Sequence, residues 1–483
     1  MTQASQLGLR NTTVTGAQYV TSPSGAYCEV SATVEPSHDM RVRLPDAWQQ
    51  RYLQLGGAGF DGGIADLNSP FASSGRDPVA SGYVVAGDNG GHRGNVYPGA
   101  SFAVDRGLTL SYASAKIYDT SMVAKALMQS YYGGQPRYRY FDGCSNGGKN
   151  ASVAASNFAN LFDGVIGGNG AWGHASDEVG GSDMTGLVTQ WSRSVQAGAL
   201  SPAKAQIFYN AVVQACDALD GIADGLVSNV QACPIEQVVN RLRCKGADNG
   251  NCLTDSDIDK VGAHLTLFAP TGQVIAAPWS PTANLANVAD PGLPSGALGL
   301  ALRSAMPIDP NSYNSMEQYY DIASVFDGIY SMTGGLDGVV KYLKRGKKLI
   351  IEHGWDDTTV PSYITVNFFT KLQSVDFAAS QGARLYMVPG VGHCGGGNGT
   401  DSMDLLSVIA KWVENNSEPG SPGNLAIAWK QGSTSGLIGA QFSRPLCPFP
   451  QFANYNGSGD SRQASSYSCR LGAAPSAKAF SKR

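Results

Sequence analysis
A serine hydroxyl does chemistry only when the backbone exposes it and a neighbour takes its proton. Gly143-Cys144-Ser145-Asn146-Gly147 meets the first need. It matches the G-x-S-x-G turn, in which glycines permit a strained bend that lifts the hydroxyl clear of a sheet. The backbone N–H of Asn146 then points toward a developing oxyanion. For the second need the chain offers six histidines: His38, His92, His174, His264, His353 and His393. A triad in the order Ser, Asp or Glu, His points to His393, in a glycine-rich loop after an apolar run. His353 is the rival base and reads as a structural histidine at a strand end. Asp356 and Asp357 lie upstream of His393, and either has the chemistry to orient the imidazole and stabilise its cation. Together these residues are equipped for acyl transfer to water.

Cys144 directly precedes Ser145, and Cys394 directly follows His393. A triad would bring these sulfurs close, and a disulfide between them would tie nucleophile to base through their chain neighbours. Six of the other cysteines fall in close pairs: Cys216 and Cys233, Cys244 and Cys252, Cys447 and Cys469. None forms a CxxC zinc knuckle. We read them as disulfides formed in an oxidising compartment, with Cys28 the odd one out.

These residues need a scaffold. Arg51–Gly57 and Ser81–Asp88 are short apolar runs closed by Gly or Asp, the pattern of buried strands. Helical spacing runs from Ser114 to Tyr132. The aromatic run Arg137–Phe141 leads into the serine turn, and the alanine-rich run Ala151–Ala159 follows it. Strand, glycine turn and helix is the order a parallel α/β sheet requires, and we read residues 1–170 as strands alternating with helices. The alternation returns in Lys347–Asp357, Ser362–Leu372, Ala383–Cys394 and Asp401–Asn415. Between these blocks the pattern changes. Ser201-Pro202 and Leu253-Thr254-Asp255 look like helix starts, and 277–296 reads as irregular loop. The expected architecture is an α/β-hydrolase core, residues 1–170 and 335–483, with an inserted lid over 171–334.

The 483 residues suit one large domain with an insertion. Net charge is −4 with no Lys/Arg block, which argues against nucleic acid. No window approaches about 18 uninterrupted apolar residues, so no membrane span is expected. The opening MTQASQLGLRNTTV lacks the basic and apolar regions of a signal peptide. With the cysteines, this leads us to expect a secreted or periplasmic protein whose signal has been removed. Asn11, Asn150, Asn398, Asn415 and Asn456 begin N-x-S/T; Asn150 falls in the expected helix and is a poor acceptor.

The chain resembles the tannase and feruloyl esterase family, which includes the hydrolase of mono(hydroxyethyl) terephthalate. The likeness rests on GYVVAGDNGGHRG (82–94), KALMQSYYGG (125–134), YFDGCSNGG (140–148), FDGVIGG (162–168), HGWDDTTVP (353–361), VGHC (391–394) and RPLCPFPQFANYNGSGD (444–460). It implies a Ser145, Asp357, His393 triad with Cys144 bonded to Cys394. Asp357 takes the family's acid position; Asp356 falls on a variable one. The chain departs at Asn146, where Thr is usual, and at Lys149-Asn150. Gly56-Gly57-Ala58-Gly59 follows a strand where a second oxyanion donor would sit, the N–H of Gly57 or Ala58.

Asp217, Asp220 and Asp224 form a second cluster, spaced unlike an EF-hand. Alone it reads as an acidic surface turn. The resemblance implies a lid calcium site here, completed by the carbonyls of Ile222 and Leu226, with Cys216 and Cys233 closing the loop. No organic cofactor is expected. The implied substrates are small esters of hydroxylated aromatic acids: ferulate-like first, gallate-like second, a terephthalate half-ester third. A general carboxylesterase and a non-catalytic binding protein of this fold are the alternatives.

Overall fold
The computed structural model describes residues 8–472 except 24, 69–70, 72–76, 95–100, 271, 422 and 431–440. One nine-stranded sheet organises it: β1 (Thr12–Ser22), β2 (Gly25–Val34), β3 (His38–Pro45), β4 (Arg51–Leu55), β5 (Tyr83–Asp88), β6 (Tyr138–Cys144), β7 (Gly164–Gly168), β8 (Lys348–Gly354) and β9 (Ala383–Val388). The spatial order is β1-β2-β3-β5-β4-β6-β7-β8-β9. From β5 to β9 every neighbouring pair is parallel. Strands β5 and β7 are buried along their whole length, as expected where helices cover both faces of a parallel sheet.

The first three strands correct the sequence reading. They are not separated by helices but form an antiparallel meander that joins β5 antiparallel. Edge strand β1 carries mostly polar and exposed residues, which an antiparallel edge tolerates and a buried parallel strand does not.

The helix Lys116–Tyr132 ends at Gly133, whose left-handed φ of 72° provides the cap. The helices Asn146–Asn157, Tyr363–Val375 and Leu405–Asn415 follow β6, β8 and β9 respectively. Apolar residues fill both sides of the sheet, Val42, Val84, Phe141 and Val165 in one cluster, Leu53, Val85, Ile166 and Ile350 in the other.

Between β7 and β8 the described chain adds no strand to this sheet. It holds seven α-helices, among them Pro202–Cys216 and Asp255–Leu265. Ser201 and Thr254 cap these two, Thr254 through a reciprocal box with Asp257. A second correction falls here: Gly292–Ala301 is helical, so the expected loop over 277–296 ends in a helix. Its Pro294 sits in the first turn, where no N–H is needed, and burial of Leu298 and Leu300 outweighs the weak helix propensity of glycine. The C-terminal part adds a three-stranded sheet and the hairpin Gln451–Tyr455 with Tyr467–Leu471, strands the sequence reading did not assign.

Four disulfides form: Cys144–Cys394, Cys216–Cys233, Cys244–Cys252 and Cys447–Cys469. Cys28 is free and buried. Among the described residues no helix is long and apolar enough to cross a membrane.

Candidate active site
Ser145 stands between β6 and the following helix with φ 62° and ψ −120°. A non-glycine residue in this region is strained and persists only where its surroundings hold it. Here its N–H donates to the Gly168 carbonyl at 2.9 Å, and its carbonyl accepts from the Lys149 N–H at 3.0 Å. The turn also needs close backbone approach. A Cβ on Gly143 would come within 2.7 Å of Gly147, and one on Gly56 within 2.6 Å. The loop after β4, carrying Gly57 and Ala58, is thereby pressed against the helix start carrying Asn146.

The loops after β8 and β9 are joined by backbone bonds. The Trp355 N–H donates to the Val388 carbonyl and the Asp356 N–H to the Val391 carbonyl, each at 2.9 Å. This brings Asp357 to His393: the imidazole Nδ1 lies 2.8 Å from Asp357 Oδ2. Asp357 is completely buried and accepts four further bonds. Thr359 N–H and Val360 N–H donate to Oδ1 at 2.7 and 2.9 Å. Asn169 Nδ2 donates to Oδ2 at 2.7 Å, and His353 Nε2 lies 3.2 Å from the same oxygen. Burial works to raise the Asp357 pKa, but the charge of His393 and the bonds from both histidines overcome it and hold the carboxyl well below its usual range. A carboxylate in that state stays ionised and stabilises an imidazolium at His393.

His353 is fully buried beside Asp357. Its Nε2 also faces the Val360 carbonyl at 3.1 Å, so that nitrogen carries the proton; Nδ1 accepts from the Thr365 hydroxyl. With both nitrogens engaged it orients the acid and is not available as a base. Asp356 differs from its neighbour: burial pushes its carboxyl up to about 7, against bonds from the Thr282 side chain and the Gly390 backbone.

Two participants were not singled out from sequence. Asn169 follows β7, and its position at the carboxyl end of a parallel strand was the available signal. Glu352, on β8, is buried and pushed up to about 8 by burial and the charge of Asp357; nothing local in the sequence marks it. Asp88 and His92 brace the neighbouring loop. Asp88 accepts from the Gly90 N–H at 2.9 Å, and His92 Nε2 lies 2.7 Å from the Phe60 carbonyl.

The cystine Cys144–Cys394 spans 250 residues with its Cα atoms 5.9 Å apart. It joins the chain neighbours of Ser145 and His393. The segment between β7 and β8 packs on the same loops: Trp191 Nε1 donates to the Thr359 carbonyl at 2.6 Å, and Leu226 lies against Gly390.

At the acidic turn, Asp217 accepts from the N–H groups of Asp224 and Gly225 at 3.2 and 2.9 Å. Asp220 is buried, which pushes its carboxyl up to about 6, with Asp224 and Asp217 adding to the rise. Among the described residues neither Asp217 nor Asp220 has a cationic side-chain partner, whereas Asp224 pairs with Arg444 at 2.5 Å. Asp217 and Asp220 are thus buried carboxylates short of positive charge, while Asp224 is shared with a guanidinium; among the described residues the three do not bring ligand oxygens within 4.8 Å of one another.

The sheet order, the strained serine after β6 and the acid and histidine loops after β8 and β9 define an α/β-hydrolase. The chain belongs to the tannase and feruloyl esterase family, whose family model matches residues 22–289 and 303–470. It is 26% identical to a mono(2-hydroxyethyl) terephthalate hydrolase of Piscinibacter sakaiensis, covering 92% of this chain and 84% of that one. It is 30% identical to a probable feruloyl esterase of Arthroderma benhamiae, covering 88% of this chain and 81% of the relative. Among solved structures, feruloyl esterase B from Aspergillus oryzae superposes with a TM-score of 0.82 at 19% identity, over 97% of this chain and 98% of that one. Tannin acyl hydrolase from Aspergillus niger gives 0.73 at 20% identity, over 98% and 94%. The family is one of esterases, and the chain is an enzyme of that class.

Proposed function
We propose that this chain is a serine esterase for small esters of hydroxylated aromatic acids, ferulate-like esters first, with Ser145, Asp357 and His393 as its triad. The observation that carries the mechanism is the 2.8 Å contact between His393 and a buried, ionised Asp357, with a cystine joining the neighbours of His393 and Ser145. His393 Nε2 takes the Ser145 proton as Oγ bonds to the ester carbonyl carbon. The carbonyl electron pair moves to oxygen, which the N–H groups of Asn146 and of Gly57 or Ala58 receive. As the tetrahedral intermediate collapses, the alcohol leaves with the proton from the imidazolium. Water repeats the sequence on the acyl-enzyme and releases the acid. The feruloyl esterase and terephthalate half-ester hydrolase names among the relatives support an aromatic acyl group.

Residues 171–334 act in this reading as a lid on the core of 1–170 and 335–483. Asp217, Asp220 and Asp224, with the carbonyls of Ile222 and Leu226, would hold a structural Ca²⁺ there. Such an ion would supply positive charge that stiffens the turn. The four cystines suit secretion or a periplasm. The deciding experiment is a kcat/KM panel over methyl ferulate, methyl gallate, mono(hydroxyethyl) terephthalate and p-nitrophenyl acetate, run on the wild type and on Ser145→Ala. Ferulate should lead, and Ser145→Ala should lose several orders of magnitude. A leading half-ester would favour the terephthalate reading. Retention of more than about a tenth of kcat by Ser145→Ala would remove the triad, because its members act as a unit.

A further inference from the structure
Behind the serine turn lies a buried ion pair that the mechanism above does not use. Asp61, completely buried, holds Lys116 Nζ at 2.5 Å on Oδ2; the lysine side chain is itself only 2% exposed. The other oxygen, Oδ1, accepts from the side-chain amide of Asn146. Tyr112 closes the group, its hydroxyl lying 3.1 Å from Asn146 Oδ1 and 3.2 Å from the Gly59 carbonyl. The Asp61 carboxylate also lies against Gly57, where a Cβ would meet its oxygens at 3.0 and 3.1 Å. One carboxylate therefore grips the side chain of the residue bearing one oxyanion donor and underlies the loop bearing the other.

The local backbone is committed to this arrangement. Asp61 has a φ of 54°, a left-handed conformation that aspartate tolerates better than most residues but that still carries strain. Gly90 faces it so closely that a Cβ there would overlap Asp61 Cβ at 2.0 Å. Replacing a buried ion pair by apolar groups of similar volume is often neutral or stabilising, so the pair is weak evidence for a purely stabilising role.

We propose that Asp61 and Lys116 are positioning residues for the oxyanion hole, a reading that rests on the serine-esterase mechanism above. Asp61 fixes both donors through Asn146 and Gly57. Lys116 cancels a charge that would otherwise repel the oxyanion across a low-dielectric interior. Loss of the grip lets the donors drift. A shift of about 1 Å at a reacting centre costs on the order of 10²-fold, and loss of a whole donor about 10²–10³-fold.

The test compares Asn146→Ala, Asp61→Asn, Lys116→Met and the double variant Asp61→Asn/Lys116→Met, with Ser145→Ala as control. The readouts are kcat and KM on methyl ferulate and the Ki of phenylboronic acid, which forms a tetrahedral adduct on the serine. Each single variant should lose about 10- to 10²-fold in kcat with KM changed far less, and the boronate should weaken in proportion. The neutral double variant should recover part of the loss of either charged single. Asn146→Ala leaves the ion pair intact, so it decides the matter if a charge variant does not fold. Full activity and unchanged boronate binding in Asn146→Ala, with Ser145→Ala inactive, would overturn the positioning role alone. An active Ser145→Ala would instead overturn the serine mechanism itself.

Discussion

Two regions of the molecule gather carboxylates beside a cystine and treat them in opposite ways. In the loop after β8, Asp357 receives five donors and stays ionised although no lysine or arginine pairs with it among the described residues. In the turn 217–226, burial pushes the Asp220 carboxyl up against bonds from Ser228 and the Ile222 N–H, and the charges of Asp224 and Asp217 add to the rise. At Asp357 the charge of His393 and the bonds from both histidines outweigh burial and keep the carboxylate ionised next to an imidazole. The acidic turn is the place where the proposed Ca²⁺ would supply the missing positive charge. The cystines differ in the same sense: one spans 250 residues to reach the reacting groups, while that at the turn spans 17.

Breaking the donor-rich side should give the largest effect. Asp357→Asn should lower kcat by about 10⁴-fold, because an amide mis-sets the imidazole tautomer. Asp356→Asn should cost no more than about tenfold, since it forfeits no bond to the imidazole. Steady-state kinetics of the two variants decides the ranking, and the reverse order would mean that the acid is Asp356.

Removing the long cystine comes next. The Cys144→Ala, Cys394→Ala double variant should lose on the order of 10²-fold in kcat at temperatures where it stays folded. Its chain-entropy contribution to stability is about 5 kcal/mol, against about 3 kcal/mol for the 17-residue loop of Cys216 and Cys233. Both single variants should match the double. Undiminished kcat in a folded double variant would reduce the bond to a stabilising role.

The smallest effect on chemistry is expected at the acidic turn. Chelation should lower Tm, since an ion at about 100 times its Kd stabilises the folded state by about 2.7 kcal/mol. Turnover at 25 °C should change little. Metal analysis finding no calcium, with an unaltered melting curve in chelator, would leave the turn as a plain acidic surface feature.

Ser145, His393 and the cysteine pairs were legible because glycine turns and chain adjacency mark them locally. Choosing Asp357 over Asp356 required the family resemblance; the structure places the bond to His393 on that carboxylate. The missed features are those that only tertiary contact creates. Asn169 lies 188 residues from Asp357, and Asp61 lies 55 from Lys116; neither separation carries a period. The strands at 12–45 were missed for another reason. A half-exposed meander has weaker hydrophobic contrast than the fully buried β5 or β7.

The span of the Cys144–Cys394 bond also bears on how the chain is made. During synthesis Cys144 emerges long before its partner, and Cys216, Cys233, Cys244 and Cys252 all appear in the interval. With nine cysteines, any one can be left over and the other eight admit about 105 complete pairings, so about 945 arrangements compete and only one of them is native. The two intervening pairs close within 17 and 8 residues, so each removes itself from competition soon after it appears. Cys144 has no such refuge. It must wait as a thiol, or leave a wrong partner by exchange, until the last strand of the sheet has been made. An oxidising compartment with a disulfide isomerase is therefore the host in which active protein should accumulate, and rapid oxidation of the nascent chain should strand the nucleophile apart from its base.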